Sequence, residues 1–354
     1  MEGEDATSEG LEVDGGNKTD FRTVTPGEAQ GSSRQNGLVS LLAKIDCLLA
    51  EEKLFAAARL LRTLDPVPPR FIHVVRKAED CEQAVSDLVQ DPDSDWIQQG
   101  ESHGDRDALV YYKLEGDARL TCRIESPVET SLLIPLLSVL NEVELYPDWI
   151  PSWTIPRIGV QESKQLEQQS KASQIVQVRC YVPWPFADRE VVMQVTGVDE
   201  IDDNGFIAVR LQSLPTGGVV PPPDANAERV DFAGALLFRA CPVDHPLYGR
   251  AREKHGDQLM LVSFKMFVDA KMAGVPTGIV NFVTRTVIGH IWAMLLSVAS
   301  EVCDQKRPRH QDMIRRKVVF YEWMGRRIGA LMQKIEDEIA DLEANQKFIS
   351  YLQG

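Results

Sequence analysis

No stretch of this 354-residue chain approaches the roughly 18 consecutive apolar residues that a membrane-spanning helix needs, so no such span is expected. Cysteine is sparse. The six residues at 47, 81, 122, 180, 241 and 303 form no C-x-x-C pair and no Cys/His cluster at zinc spacing. A disulfide scaffold and a zinc module are therefore not expected, and thiols scattered through a reducing compartment are. Positive charge is in the minority, with Lys+Arg 38 against Asp+Glu 53 and a formal net charge of -15. A protein that coats nucleic acid needs an excess of Lys and Arg, so no nucleic-acid partner is expected, although a local basic patch stays open. The opening MEGEDATSEG has neither a basic start nor an apolar segment, so no secretory signal is expected and the reading is cytoplasmic. Residues 1–36 are nearly empty of large apolar side chains and cannot bury enough surface to offset ordering entropy, which predicts a disordered acidic tail.

What is present is core-forming material: 44% hydrophobic residues and an ordinary 26% charged. Leu38, Leu41, Leu42, Ile45, Leu48 and Leu49 recur at helical spacing, followed by Leu54, Ala57, Ala58, Leu60, Leu61 and Leu64. This predicts a helical hairpin over 37–70 that ends in Asp65-Pro66 and Pro68-Pro69. A third helix is predicted over 71–89. The period then changes from 3.6 to 2. Leu109–Leu114 and Leu120–Ile124 flank Glu115-Gly116-Asp117 as a hairpin, residues 130–146 are helical, and strands are predicted at Ile158–Glu162, Ser173–Val182, Val191–Val198, Phe206–Leu214, Val230–Arg239 and Leu259–Ala270. A long apolar helix follows from about Val275 to Val302, and 304–354 is basic first and then helical. This order predicts an α+β chain with a large antiparallel sheet.

Two stretches carry a resemblance. Tyr181-Val-Pro-Trp-Pro-Phe-Ala-Asp-Arg-Glu-Val-Val192 is similar to a "wP-x-x-x-R-[DE]-[FV]-V" turn between strands. Asp269-Ala-Lys-Met-Ala-Gly-Val-Pro-Thr-Gly-Ile-Val-Asn281 is similar to a "D-x-x-G-x-[ILV]-P-x-x-[LIV]-[LIV]-N" entry into a last helix, and Tyr146-Pro147-Asp148-Trp149 adds a weaker match. In this order they resemble the START domain, the steroidogenic acute regulatory protein-related lipid transfer family, over 71–303. The resemblance implies a helix-grip fold, in which a curved antiparallel sheet wraps a long C-terminal helix around a lipid-sized tunnel. It further implies a non-catalytic lipid binder (of a sterol, phospholipid or ceramide) that contacts membranes peripherally and needs no cofactor or metal. Segments 37–70 and 304–354 are not explained by it.

The residues themselves supply the candidate site. Val280, Val283, Val287, Ile291, Met294 and Val298 fall on one stripe of the long helix, a candidate lid over a cavity. Arg179 and Lys265, on predicted strands, are candidates by type to meet a lipid headgroup. Trp184 and Phe186, held between Pro183 and Pro185, form a candidate membrane-contact loop, since aromatic rings favour the interface. Arg189 is expected to pin that turn. Arg315, Arg316 and Lys317 lie in a basic, aromatic-bearing stretch suited to an anionic bilayer. Ile328, Leu331, Ile335, Ile339 and Leu342 form a short stripe for packing on the chain itself or for pairing with a second chain as a coiled coil. Gly100-Glu101-Ser102-His103-Gly104 matches G-x-S-x-G, but a nucleophile elbow needs a strand before it and a helix after it. The alternatives are a scaffold that uses the lipid domain as a sensor and an enzyme of the polyketide cyclase type, for which no acid/base pair can be nominated.

Overall fold

The structure, a computed structural model, describes residues 26–92, 94–102, 105–115, 119–271 and 277–353. It divides into residues 1–46 and 47–354. The first unit holds most of helix α1 (Pro26–Ala50), which begins at Pro26 rather than near Gly37. A proline at the start of a helix gives up an N–H that would have no partner there. The expected disordered tail therefore stops short of 26–36, and its remainder, 1–25, lies outside the described residues.

In the second unit, α2 (Leu54–Leu61) and α3 (Ile72–Val89) precede three strands: β1 (Ile97–Ser102), β2 (Ala108–Glu115) and β3 (Arg119–Glu129). Helices α4 (Leu133–Asn141) and α5 (Tyr146–Trp149) then lead to β4 (Trp153–Thr154), β5 (Arg157–Ser170), β6 (Ser173–Tyr181) and β7 (Asp188–Glu200). After α6 (Ile201–Asn204) come β8 (Phe206–Ser213), β9 (Ala227–Arg229), β10 (Asp231–Ala240), α7 (Tyr248–His255) and β11 (Leu259–Asp269). The long helix is α8 (Thr277–Phe282), a π-helical turn (Val283–Val287) and α9 (Ile288–Cys303) in succession, and α10 (Pro308–Arg316) and α11 (Val318–Gln353) close the chain.

The strands form one sheet in the order β1-β2-β3-β11-β10-β8-β7-β6-β5-β4, antiparallel along this path, with β9 parallel to β7. Strand β5 runs to Ser170, well past the predicted end at Glu162. Its register shifts at Val160/Glu162, Gln165/Glu167 and Gln168/Ser170 break the period of two that would reveal a strand. The G-x-S-x-G stretch begins in β1, whose partner is the next strand β2, so no strand-to-helix elbow exists there.

Alternation assigns the two faces. On β11, Met260, Val262, Phe264 and Met266 point inward, and the Phe264 ring stacks on Trp292 of α9 with centroids 6.3 Å apart. The outward set includes Leu259 and Leu261, which pack with Ala251 of α7, and Lys265, which pairs with Asp87 of α3. The outer face of β3 also holds α3 by its end. Buried Arg123 donates to the carbonyls of Asp87, Leu88 and Gln90, at 3.1, 2.9 and 2.6 Å, and is paired with Glu125. A fork of N–H donors thus satisfies carbonyls that a helix C-terminus leaves open.

Three helices cover the inner face: α4, α9 and α11. Leu136, Phe238, Met260, Ile328 and Leu331 are fully buried there in one cluster. The stripe of α11 is therefore spent inside the chain's own core through Ile335, while Ile339 is half-buried and the side chain of Leu342 lies outside the described residues. The segments beyond the START likeness are joined to the domain at the β7–β8 turn. Lys53 bridges to Asp199 at 3.2 Å, Arg59 to Glu200 at 3.2 Å, and Arg327 of α11 to Asp199 at 3.0 Å.

Candidate functional site

The inner wall changes character along its length. At the end of the ladder formed by the last residues of β3 and the first of β11, side chains are buried: Val128, Met260, Val262 and Phe238 are at most 1% exposed. At the other end, Phe264, Met266, Leu211 and Phe232 point inward yet stay half-buried, although they belong to the middle of the sheet. Val160, Val191 and Cys180 continue this half-open apolar wall on β5–β7. Burial pushes the thiols of Cys122 and Cys180, both on inward positions, up to about 12 and about 11, so they remain neutral wall groups.

The α8–α9 helix faces this wall. Val283, Ile291 and Met294 are half-buried, whereas Val287 and Val298 are buried, Val298 completely. Ile291 and Met294 pack in the same cluster as Phe264, Met266 and Leu211 of the wall, and Val298 lies in the core; the side chain of Val280 lies outside the described residues. Residues 272–276 of the helix-entry motif also lie outside them. Arg189 donates to the carbonyls of Ala270 at 2.7 Å and Lys271 at 3.4 Å, and so ties the β6–β7 turn to the chain leaving β11. Its pairing with an acid is the longer contact, 3.5 Å to Glu228.

Arg179 and Lys265 are not brought to this wall. Both point to the outer face. Lys265 bonds Asp87 at 2.7 Å, and Arg179 lies between Asp188 at 3.0 Å and Asp224 at 2.9 Å. The carboxyl of Asp224 is held below its usual range, first by the Asn226 backbone N–H and then by Arg179. Their role as headgroup ligands is therefore corrected: strand parity, set by which residues stack on α9, turns them away.

Trp184 is 91% exposed at the tip of the β6–β7 turn, while Phe186 is half-buried. Beside it, the β4–β5 turn exposes Ile155 by 89%. Pairing of Gly159 with Tyr181 sets these two turns at the same end of the sheet, next to the half-open part of the inner wall. Trp153 packs edge-on against Phe282 of α8 at 5.9 Å, which joins this rim to the long helix. Ile155 was missed by sequence reasoning: a single isoleucine before a proline carries no periodic or motif signal.

The basic stretch lies elsewhere. Arg315 and Arg316 are each 71% exposed and share Asp312. Lys317 instead bonds Glu142, whose side chain is 0% exposed, at 2.7 Å, and Tyr321 donates to the other oxygen of the same carboxylate at 2.7 Å. Lys317 is therefore a structural cation, which corrects its reading as a membrane contact. The start of α11 borders the β5–β6 turn at Ser170 and Lys171, at the opposite end of β5 from Ile155. Across the 14 residues of β5 that is roughly 45 Å of strand at about 3.3 Å per residue.

A second space opens under α11. A pocket of about 120 Å³, about half open to solvent, is lined by α4, the β5–β6 turn, β6, β7, β8 and α11. Leu137, Val195, Val209, Met324 and Ile328 are among its apolar walls, and Gln174 and Asn141 are among its polar ones.

An antiparallel sheet that wraps a long helix and bears an apolar inner wall is an α+β helix-grip architecture. Among solved structures the chain is similar to human STARD10 (TM-score 0.47, 15% identity, 66% of this chain and 84% of that one). It is also similar to human StAR-related lipid transfer protein 5 (TM-score 0.45, 13% identity, 64% and 97%). A third is a fragment of the STAR-related lipid transfer protein from Xanthomonas axonopodis (TM-score 0.41, 18% identity, 58% and 99%). No protein-family model matches the sequence, and no curated protein matches it.

Proposed function

We propose that this protein binds a single lipid between the inner face of its sheet and the α8–α9 helix, without covalent chemistry, and exchanges it at a membrane. One observation carries this reading: the half-open apolar wall of Phe264, Met266, Leu211 and Phe232 lies at the same end of the sheet as two exposed apolar tips, Ile155 and Trp184. An apolar wall left partly open costs solvation that a ligand would recover, at about 25 cal/mol per Å² covered. Apolar tips beside that opening suit a bilayer interface, where a lipid could pass without crossing water. The lipid's polar end is expected at this rim, because the charged residues of the sheet named above are engaged on the outer face.

The test is lipid exchange between liposomes, with native mass spectrometry of the purified chain to detect a bound lipid. Val283→Trp and Met294→Trp place a ring in the half-open part and are expected to lower uptake at least fivefold while the melting temperature holds. In a tightly filled core the same change costs roughly 1–3 kcal/mol through overpacking. A large loss of melting temperature, together with unchanged exchange, would refute a ligand space at this position.

A further inference from the structure

The junction of α10 and α11 leaves apolar side chains in the open. Val318 and Val319 are 50% and 73% exposed at the start of α11. With Phe320 they line an open groove of about 430 Å³ between α11 and the β5–β6 turn. Groove and pocket under α11 share Asn141, Gln168, Lys171 and Phe320, so the two are continuous. An apolar cavity of about 150 Å³ holds one aromatic hydrocarbon, and the pocket, at about 120 Å³, suits one apolar side chain at the inner end of the groove.

The charge at the groove is positive. Lys171, Arg316 and Lys317 line it, and among the described residues no carboxylate does. Lys317 is neutralised by Glu142. Lys171 is exposed, with its ammonium 6.0 Å from the centroid of the Trp323 ring. The Glu52 carboxylate beside it accepts from Ser170 Oγ and from the Lys171 backbone N–H, each at 2.9 Å. Arg315 and Arg316, each 71% exposed, share the carboxylate of Asp312. Asp199, in the pocket, is held by Lys53 and Arg327. On a chain with a formal net charge of -15, this local charge selects a guest by size. A short acidic segment meets the groove alone, whereas an extended anionic surface also meets the chain's excess of carboxylates. Shape selects in the same direction, because a flat bilayer meets projecting tips such as Ile155 and Trp184, while a groove accepts the apolar ridge of a helix.

We infer that this groove docks a protein partner through an acidic amphipathic helix. Apolar side chains three and four residues apart on that helix enter the groove and the pocket under α11, and its carboxylates meet Arg315, Arg316 and Lys171.

The test is fluorescence anisotropy of the full chain with a labelled helical peptide of about 16 residues, which carries leucines three and four apart on one face and glutamates elsewhere. A second peptide has glutamine in place of every glutamate. At low salt the acidic peptide is expected to bind about tenfold more tightly than the neutral one, the sum of several exposed ion pairs. Arg315→Gln with Arg316→Gln is expected to weaken the acidic peptide about tenfold at low salt and to change little at about 1 M, where the Debye length is about 3 Å. Val318→Ser with Val319→Ser is expected to weaken both peptides about tenfold at either salt, through lost apolar burial. All four side chains are exposed, so both variants are expected to keep the parent's melting temperature. Equal affinity for the two peptides in the parent, no binding of either, or acidic-peptide binding unchanged in both variants overturns the proposal. So does displacement of the peptide by phosphatidylserine vesicles whose own binding is lost in the arginine variant, which gives the groove to a bilayer. The readout is binding of a peptide rather than lipid exchange, so the result stands whether or not the lipid reading holds.

Discussion

Replacing Lys317 by methionine is expected to destabilise the protein by about 3 kcal/mol, seen as a lower urea midpoint at unchanged m-value. The reason is the carboxylate it leaves behind. Glu142, just after α4, is 0% exposed and is held by the Lys317 ammonium from the α10–α11 junction, the Tyr321 hydroxyl from the first turn of α11 and the Asn141 side-chain amide beside it. Removing one partner of a buried pair strands a charge, and that costs about 3–5 kcal/mol; the lower end applies because the Lys317 side chain is 29% exposed and water can approach. Tyr321 cannot take over, since burial and the Glu142 charge push its hydroxyl far up and keep it a neutral donor. Adding Glu142→Gln to Lys317→Met is expected to recover most of the loss, because the stranded charge is then gone. Arg315→Gln with Arg316→Gln, both on exposed side chains, is expected to change stability by under about 0.5 kcal/mol. Equal losses in all three variants would remove the buried carboxylate as the cause.

The same residue marks where sequence reasoning stops. Lys317 sits in a run of basic residues, and nothing in that run distinguishes it from Arg315 and Arg316; its partner lies 175 positions earlier. Periodicity found the strands whose two faces differ, such as β10 and β11, but not the second half of β5, where polar residues and register shifts hide the alternation. Arg179 and Lys265 are candidates by residue type on predicted strands, and type does not say which parity meets the long helix. That is decided by Phe264 stacking on Trp292 and by Asp87 of α3 reaching Lys265. The long helix itself was legible, because it is apolar over most of its circumference. The roof provided by α11 was not, since a short stripe of isoleucine and leucine packs equally well on its own chain or on a second one.

Two surfaces could face a bilayer, and they lie at opposite ends of β5, so one docking geometry cannot use both. The expected result is that Ile155→Ser combined with Trp184→Ser lowers affinity for liposomes, and lipid exchange with it, about a hundredfold. Burying an exposed apolar side chain is worth about 1.5–3 kcal/mol, so two tips together give about 3 kcal/mol, and each 1.4 kcal/mol is a factor of about ten. Stability should not change, because Trp184 and Ile155 are 91% and 89% exposed and touch little of the fold. With the Trp184 end docked, Arg315 and Arg316 stand several Debye lengths of roughly 8–10 Å from the surface. Arg315→Gln with Arg316→Gln should then leave binding to phosphatidylserine vesicles unchanged at 0.1 M salt, a condition set at about one Debye length of 10 Å. If the arginine pair instead carries a salt-sensitive loss while the Ile155/Trp184 variant binds like the parent, the bilayer meets the α10–α11 corner. The half-open wall at the Trp184 end would then face water, and lipid entry at that end would be refuted.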